Sequence, residues 1–372
     1  MSRSTFGHIR HEAEDRHRIY WTDNEGNPHS RRIRGTDKDA ELELAKIKVE
    51  LLIQQDTENE LEDMKWSVFW DTIVVPTFSK LQAHTVYDYK RLWRTELKSV
   101  MGDIMVGDTT PKVIQRIIDS IDAPSVQSYA KRLLRKICNM AVVEGLLDVC
   151  PVSRNTKTAP LTRRKKTGLL ASNASQWIER TLEAPAAAIR LCCVGGGLSP
   201  EEAWGMLKER VVRYERNGKI YALVEVCAAL TMVGGKKDLK DTKNGYRRRF
   251  VAVGAPFAEP LLALCEGTGP LYPSRIKHAE GEPYTADHFA SPTTITNNWR
   301  KWCERNEVPY VRIGDMRTIW STWHMEAGTQ DSAVQGAMGH SDGTTRASNY
   351  IEFSIEAALR VADSLASFIA SL

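Results

Sequence analysis

The chain opens on short alternating stretches, and apolar residues at a spacing of three to four take over from about residue 36. Gly7-His-Ile-Arg, Arg18–Thr22 and His29–Arg34 read as three short strands, the last two joined by the turn-rich Asp23-Asn-Glu-Gly26-Asn-Pro28. A helix follows, capped by Thr36 or Asp37, with Ala40, Leu44, Ile47 and Leu51 along one face. This module of roughly 55 residues is small for a core of its own. Residues 56–63 are polar and acidic and read as a linker. From Met64 to about Pro151 the pattern is helical. Trp66, Phe69 and Trp70 open one helix, Thr85–Trp93 forms a second, Pro111–Ile118 a third and Ser125–Glu144 a fourth. Beyond residue 169, helices mix with a strand-rich patch. There Tyr221–Val226 precedes Lys236–Lys243, a turn at Asn244-Gly245 and Arg247–Val253, and the Asn-Gly pair predicts a hairpin. The last segment, 354–372, carries an apolar stripe of Ile355, Leu359, Ala362, Leu365 and Ile369. It suits docking on a second subunit of a homo-oligomer, or packing onto its own domain.

Length and composition narrow the class. At 372 residues the chain is long enough for two or three domains, and with 42% hydrophobic and 26% charged residues it is an ordinary globular protein. The longest apolar run, Ala186–Gly197, contains Arg190 and is shorter than the ~20 residues a bilayer span requires. The opening Met1-Ser-Arg-Ser-Thr-Phe-Gly leads into charged sequence instead of an apolar signal core, so a cytoplasmic protein without membrane partner is expected. Seven cysteines, scattered and without a Cys-x-x-Cys pair, point to reduced core thiols and to no metal site. His8, His11, His17 and His29 look metal-like, yet they fall in basic strand segments and are expected to be polar groups on the sheet surface.

A net charge of +4 is mild, so where the charge lies matters more. Pro151–Gly168 holds Arg154, Lys157, Arg163, Arg164, Lys165 and Lys166 and no acidic residue. Such a run is either a solvated loop or a basic tether that lies along a phosphate backbone, where each neutralised phosphate releases counterions.

Three stretches carry a family pattern: Gly314-Asp-Met-Arg317 running on to Glu326-Ala-Gly328, then Gly339-His340, then Tyr350. With Gly197-Leu-Ser199-Pro-Glu-Glu202 and Thr242-Lys243-Asn-Gly-Tyr-Arg-Arg-Arg-Phe-Val upstream, the chain resembles the tyrosine recombinases, the phage integrase family. The resemblance implies a multi-domain, mainly α protein with small β elements. An arm-type β-sheet domain would span 1–55, a helical core-binding domain 64–154 and a mixed α/β catalytic domain 169–372. It implies Tyr350 as nucleophile, Arg317 and His340 on the scissile phosphate, and Lys243 as general acid with Lys240 close behind. Double-stranded DNA is the implied partner, contacted by the basic tether and by Arg247, Arg248 and Arg249. No metal or nucleotide cofactor is implied, since a 3′-phosphotyrosyl link conserves the bond energy.

Two positions depart from the family. Ser199 stands where the first arginine belongs, and Gly314 where the His of His-x-x-Arg belongs. A tyrosine oxygen with a pKa near 10 is a weak nucleophile until cationic neighbours favour its phenolate. Phosphoryl transfer otherwise rests on charge stabilisation, which two arginines would supply. Ser199 offers one hydrogen bond and no charge, and Gly314 offers no side chain. Arg312 or one of Arg247–Arg249 could stand in, although contacts with the DNA backbone are the expected use of these residues. The sequence therefore leads to a DNA-binding protein on a disarmed recombinase scaffold, with an active integrase as the alternative. Trp320, Trp323, His324 and Met325 are expected in a helix core.

Overall fold

The computed structural model describes residues 6–62, 64–162, 168–241, 248–340 and 355–372. The chain divides into two compact units, Met1–Thr162 and Arg163–Leu372.

In the first unit, β1 (Gly7–Ala13), β2 (Arg16–Thr22) and β3 (Pro28–Arg34) form an antiparallel meander. The β2–β3 turn is held by Asp23, whose Oδ1 accepts from the backbone N–H groups of Glu25 and Asn27 at 3.1 and 2.8 Å. Helix α1 (Asp37–Glu62) follows, and Ile19 from the sheet packs against Ala40 and Ile47, with Leu44 and Leu51 on the same face. The expected linker 56–63 is thus helical as far as Glu62. Its Glu, Leu and Asn content lacks Gly or Pro, so nothing in it stops a helix already nucleated upstream.

The second core of this unit is helical. A helix starting at Trp66–Phe69 continues as a π-helical turn, Trp70–Val74, and a 3-10 stretch, Val75–Lys80. Helices α2 (Ala83–Leu92), α3 (Pro111–Asp119) and α4 (Pro124–Val143) complete it. Trp70 stacks on Trp93 at 4.5 Å, and the buried Trp66 indole donates to Thr109 Oγ1 at 2.7 Å, so the polar edge of Trp66 is satisfied within its apolar cover.

The second unit is built around α6 (Ala187–Gly196), buried along its whole length; α5 (Ala174–Thr181) precedes it. The apolar run that is too short for a membrane is therefore the central, buried helix of this unit's core. Arg190 within it lies over Trp299 at 4.1 Å and donates to the Thr181 carbonyl at 2.6 Å. Helix α7 (Pro200–Trp204) leads into β4 (Val211–Arg216), β5 (Lys219–Val226), β6 (Ala228–Val233), β7 (Lys236–Asp241) and β8 (Arg249–Val253). After these come α8 (Ala258–Leu264), α9 (Pro292–Arg305), α10 (Ile313–Glu326), α11 (Asp331–Met338) and α12 (Ile355–Ala370). Among the described residues no helix is long and apolar enough to cross a membrane.

The pairing of these strands corrects the expected hairpin. β7 pairs with β6, and β8 returns to β5 in a sheet of order β4-β5-β8, so Lys236–Asp241 and Arg249–Val253 are not partners. The turns explain the difference. Gly234 and Gly235 both have positive φ (57° and 83°), as do Asn217 and Gly218 (51° and 75°), which is the backbone a two-residue hairpin demands. The Asn-Gly signal thus operates at 217–218; Asn244-Gly245 lies outside the described residues.

The C-terminal stripe is also occupied. One face of β5 and β8, through Tyr221, Leu223 and Ala252, packs on Ala358, Leu359 and Ala362 of α12. Val361 and Leu365 join the main core, and Asp363 accepts from Tyr221 Oη and Lys219 Nζ, each at 2.8 Å. Of the two uses expected of this apolar face, packing onto its own domain is the one seen: it covers the sheet, whose face the alternation of β5 leaves apolar too. Deleting residues 355–372 should therefore unfold the second unit. Leu359, Val361 and Leu365 alone stabilise it by about 1.5–3 kcal/mol each, against a total of about 5–15 kcal/mol for a domain. Loss of the cooperative thermal transition of that unit checks this, and an unchanged melting curve would contradict it.

Trp320, Trp323 and His324 are buried as expected, with the Trp320 indole donating to the Gly195 carbonyl at 3.1 Å, whereas Met325 is exposed. Burial holds His324 down to about 4, so it is neutral at physiological pH.

Candidate active site

The family-matching residues gather where α7, β8, α10 and α11 meet. Ser199 is the N-cap of α7 and forms a capping box: Ser199 N–H donates to Glu202 Oε2 at 2.8 Å, and Glu202 N–H donates to Ser199 Oγ at 3.4 Å. Glu202 thereby faces inward, with its side chain 1% exposed.

Two arginines share that carboxylate. Arg249 of β8 donates to Glu202 Oε1 at 3.0 Å and Oε2 at 3.2 Å, and its Nε donates to the Ala337 carbonyl at 2.6 Å. Arg317 of α10 lies 3.4 Å from Glu202 Oε2 and donates to the Met338 carbonyl at 2.7 Å. Both guanidiniums thus also satisfy carbonyls in the last turn of α11, where the helix leaves acceptors unpaired and favours positive charge. Burial raises the Glu202 pKa, but the attraction of Arg249, its hydrogen bonds and the Ser199 N–H outweigh this, and the carboxyl sits below its ordinary value. It is a firm anion between two cations, with one positive charge in excess.

Helix α11 ends at Gly339, whose φ of 68° turns the chain, and the His340 N–H reaches back to the Gln335 carbonyl at 3.0 Å. This places His340 beside Arg317. Arg317 Nη2 donates to His340 Nε2 at 2.8 Å, so Nδ1 carries the proton and donates to Gln335 Oε1 at 2.7 Å. Gly314 lies one turn before Arg317 on the same helix, and a Cβ built there meets nothing within 4 Å. The geometry therefore brings Arg317, His340, Gly314 and, through Glu202, Ser199 together.

Arg249 corrects the sequence reading. Expected on DNA, it is 1% exposed and pinned by Glu202 and Ala337, because β8 alternates and the position of Arg249 faces the core. Arg248, just before the strand, is exposed, 3.9 Å from Glu225. Arg312 is the exposed N-cap of α10. Arg154 and Lys157 are exposed in the first unit, where Gln115 holds the Lys157 backbone at 2.8 and 3.1 Å. Lys240 of β7 pairs with Asp238 at 3.1 Å. Tyr350, Lys243, Arg163, Arg164, Lys165, Lys166 and Arg247 lie outside the described residues. Glu202, Arg249 as its partner, and Gln335 as the support of His340 were not assigned these roles from sequence. Glu202 was legible as N3 of a Ser-x-x-Glu capping box.

With Arg249 spent on Glu202 and Ala337, the groups left at the edge of the site to meet an anion are Arg317, 13% exposed, and the His340 imidazole beside it. Among solved structures, a fragment of the Tn1549 transposon integrase in complex with circular intermediate DNA is similar, with a TM-score of 0.58 at 12% identity over 81% of this chain and 99% of that one. A lambda integrase dimer bound to a COC′ core site is similar over 94% of this chain and 97% of that one, with a TM-score of 0.53 at 16% identity. The lambda integrase tetramer bound to a Holliday junction matches over 94% and 98%, with a TM-score of 0.52 at 14% identity. No protein-family model and no curated protein matches the chain. The chain has the fold of the tyrosine recombinases.

Proposed function

We propose that this protein binds specific double-stranded DNA sites on a tyrosine-recombinase scaffold whose strand-transfer chemistry is impaired, and that it acts as a regulator, accessory factor or decayed integrase. In this reading 1–55 is an arm-type domain, 64–154 contacts core DNA and 169–372 is the recombinase-fold domain. Arg154, Lys157 and Arg248, with the basic residues 163–166 and Arg247, neutralise phosphates, and several copies assemble on DNA. The similar structures are integrases held on DNA, which supports the DNA partner. The impairment rests on one observation: the only buried arginine beside Ser199, among the described residues, is Arg249, and it is committed to Glu202 and Ala337. It does not replace the missing cation. Tyr350 as nucleophile and Lys243 as general acid remain assigned by resemblance, with Arg317 and His340 on the phosphate.

The test uses DNA flanking the protein's own gene, including suicide substrates nicked near candidate sites, run on native and denaturing gels. A native shift that weakens steeply with salt, without a denaturation-resistant adduct, is the expected result. A strong adduct that disappears in Tyr350→Phe would replace this reading with an active integrase, and absence of any shift would remove the DNA partner.

A further inference from the structure

We infer that His11, His17 and Asp37 form a binding site for one Zn2+ ion, a role independent of the DNA reading. The four histidines of the N-terminal sheet separate into two kinds. His8 stacks on Tyr20 and His29 on Trp21, where their rings act as flat cover for aromatic neighbours. His11 and His17 are directly opposite each other in the β1–β2 ladder, just before the bulge between His11 and Ala13. Opposed residues share a sheet face with close Cβ atoms, and a bulge re-aims the side chain beside it. Asp37 enters the same spot from the first turn of α1.

Three ligand atoms therefore converge from three elements. His17 Nε2 is 3.0 Å from His11 Nδ1 and 2.7 Å from Asp37 Oδ1, and His11 Nδ1 is 4.0 Å from Asp37 Oδ1. Tetrahedral Zn2+ with bonds of 2.0–2.1 Å sets its ligand atoms about 3.3 Å apart, a value these separations bracket. Without an ion, two ring nitrogens and a carboxylate oxygen have few protons to share in one small space. His17 is buried and its Nδ1 has no hydrogen-bond partner. Without an ion the Nε2 proton of His17 is held by Asp37 Oδ1, and binding of an ion moves that proton to Nδ1 and turns the Nε2 lone pair toward the cluster. Two imidazoles and a carboxylate are a borderline donor set that suits Zn2+, and a water molecule would fill the fourth position.

The ion would do structural work here. Its ligands join β1, β2 and α1, and among the described residues the buried apolar core of this module is Ile19, Ala40 and Ile47. A small core is where a metal staple matters most.

The experiment is Zn2+ titration of the full chain by calorimetry against His11→Gln and Asp37→Asn, both at exposed positions, with hydrogen exchange of β1–β3 as a local readout. The variants keep all seven cysteines, so thiol binding cancels in the comparison. Expected are 1:1 binding by the wild type and at least tenfold weaker binding by each variant. Exchange in β1–β3 should slow about tenfold at a Zn2+ concentration ten times Kd, in the wild type alone. With Co2+ as a second probe, nitrogen and oxygen ligation gives visible bands without thiolate charge transfer. Absence of wild-type binding, equal binding by the variants, or thiolate bands alone would overturn the site.

Discussion

Ser199→Arg should raise the yield of covalent protein–DNA adduct on nicked substrates by about 10²- to 10³-fold, the effect of restoring one charged donor at a reacting oxyanion. Ser199 is half-exposed and begins α7, next to the carboxylate that holds Arg249 and Arg317. A guanidinium there joins Arg317 and His340 around one pocket. Losing the Ser199 cap costs about 1 kcal/mol of stability, less than the roughly 3–4 kcal/mol of transition-state stabilisation the donor supplies. Adding Gly314→His should increase the yield further, since its Cβ meets nothing within 4 Å. Quantifying adduct on denaturing gels decides the matter, with Tyr350→Phe in the same background as the control. No gain in either variant would mean that the missing arginine is not what limits the chemistry.

Glu202→Gln should be the most damaging conservative change in the second unit. It leaves Arg249, 1% exposed, and Arg317, 13% exposed, without their shared anion. Breaking a buried pair in this way costs about 3–5 kcal/mol, or roughly 10 °C in the melting temperature of a unit this size. The acid limb carries a second signature. The folded Glu202 carboxyl lies below its ordinary value of 4.5, so its pairing stabilises the fold in full above that value and is lost as pH falls through the depressed one. Thermal melts from neutral pH down to 3 should show the wild type losing its margin over the variant below about pH 4.5. A constant margin across that range would place the stabilisation elsewhere.

The helices were legible because their apolar spacing and caps agree: Ala40, Leu44, Ile47 and Leu51 are the packed face of α1, and Thr110 caps α3. The β6–β7 and β5–β8 pairings were not, because the sequence offers more than one turn with the right residues, and pairing depends on which neighbour completes the sheet. Arg317 and His340 were singled out by the resemblance to the recombinase pattern, and they lie 2.8 Å apart. Arg249 was misread because three consecutive arginines look alike in sequence. Strand alternation turns Arg249 inward, to a glutamate 47 residues away, while Arg248 just before the strand is exposed. His11 and His17 needed the β1–β2 register before they could be told from His8 and His29.

Helix α1 continues well past the sheet it packs on. Its 26 residues span about 39 Å at 1.5 Å per residue, whereas a flexible coil of that length would average roughly 28 Å with a broad spread. A coil tether sets only an effective concentration, but a helix behaves as a strut. The distance between the N-terminal sheet and the far end of α1 is therefore fixed by residue count, and each inserted turn lengthens it by about 5.4 Å.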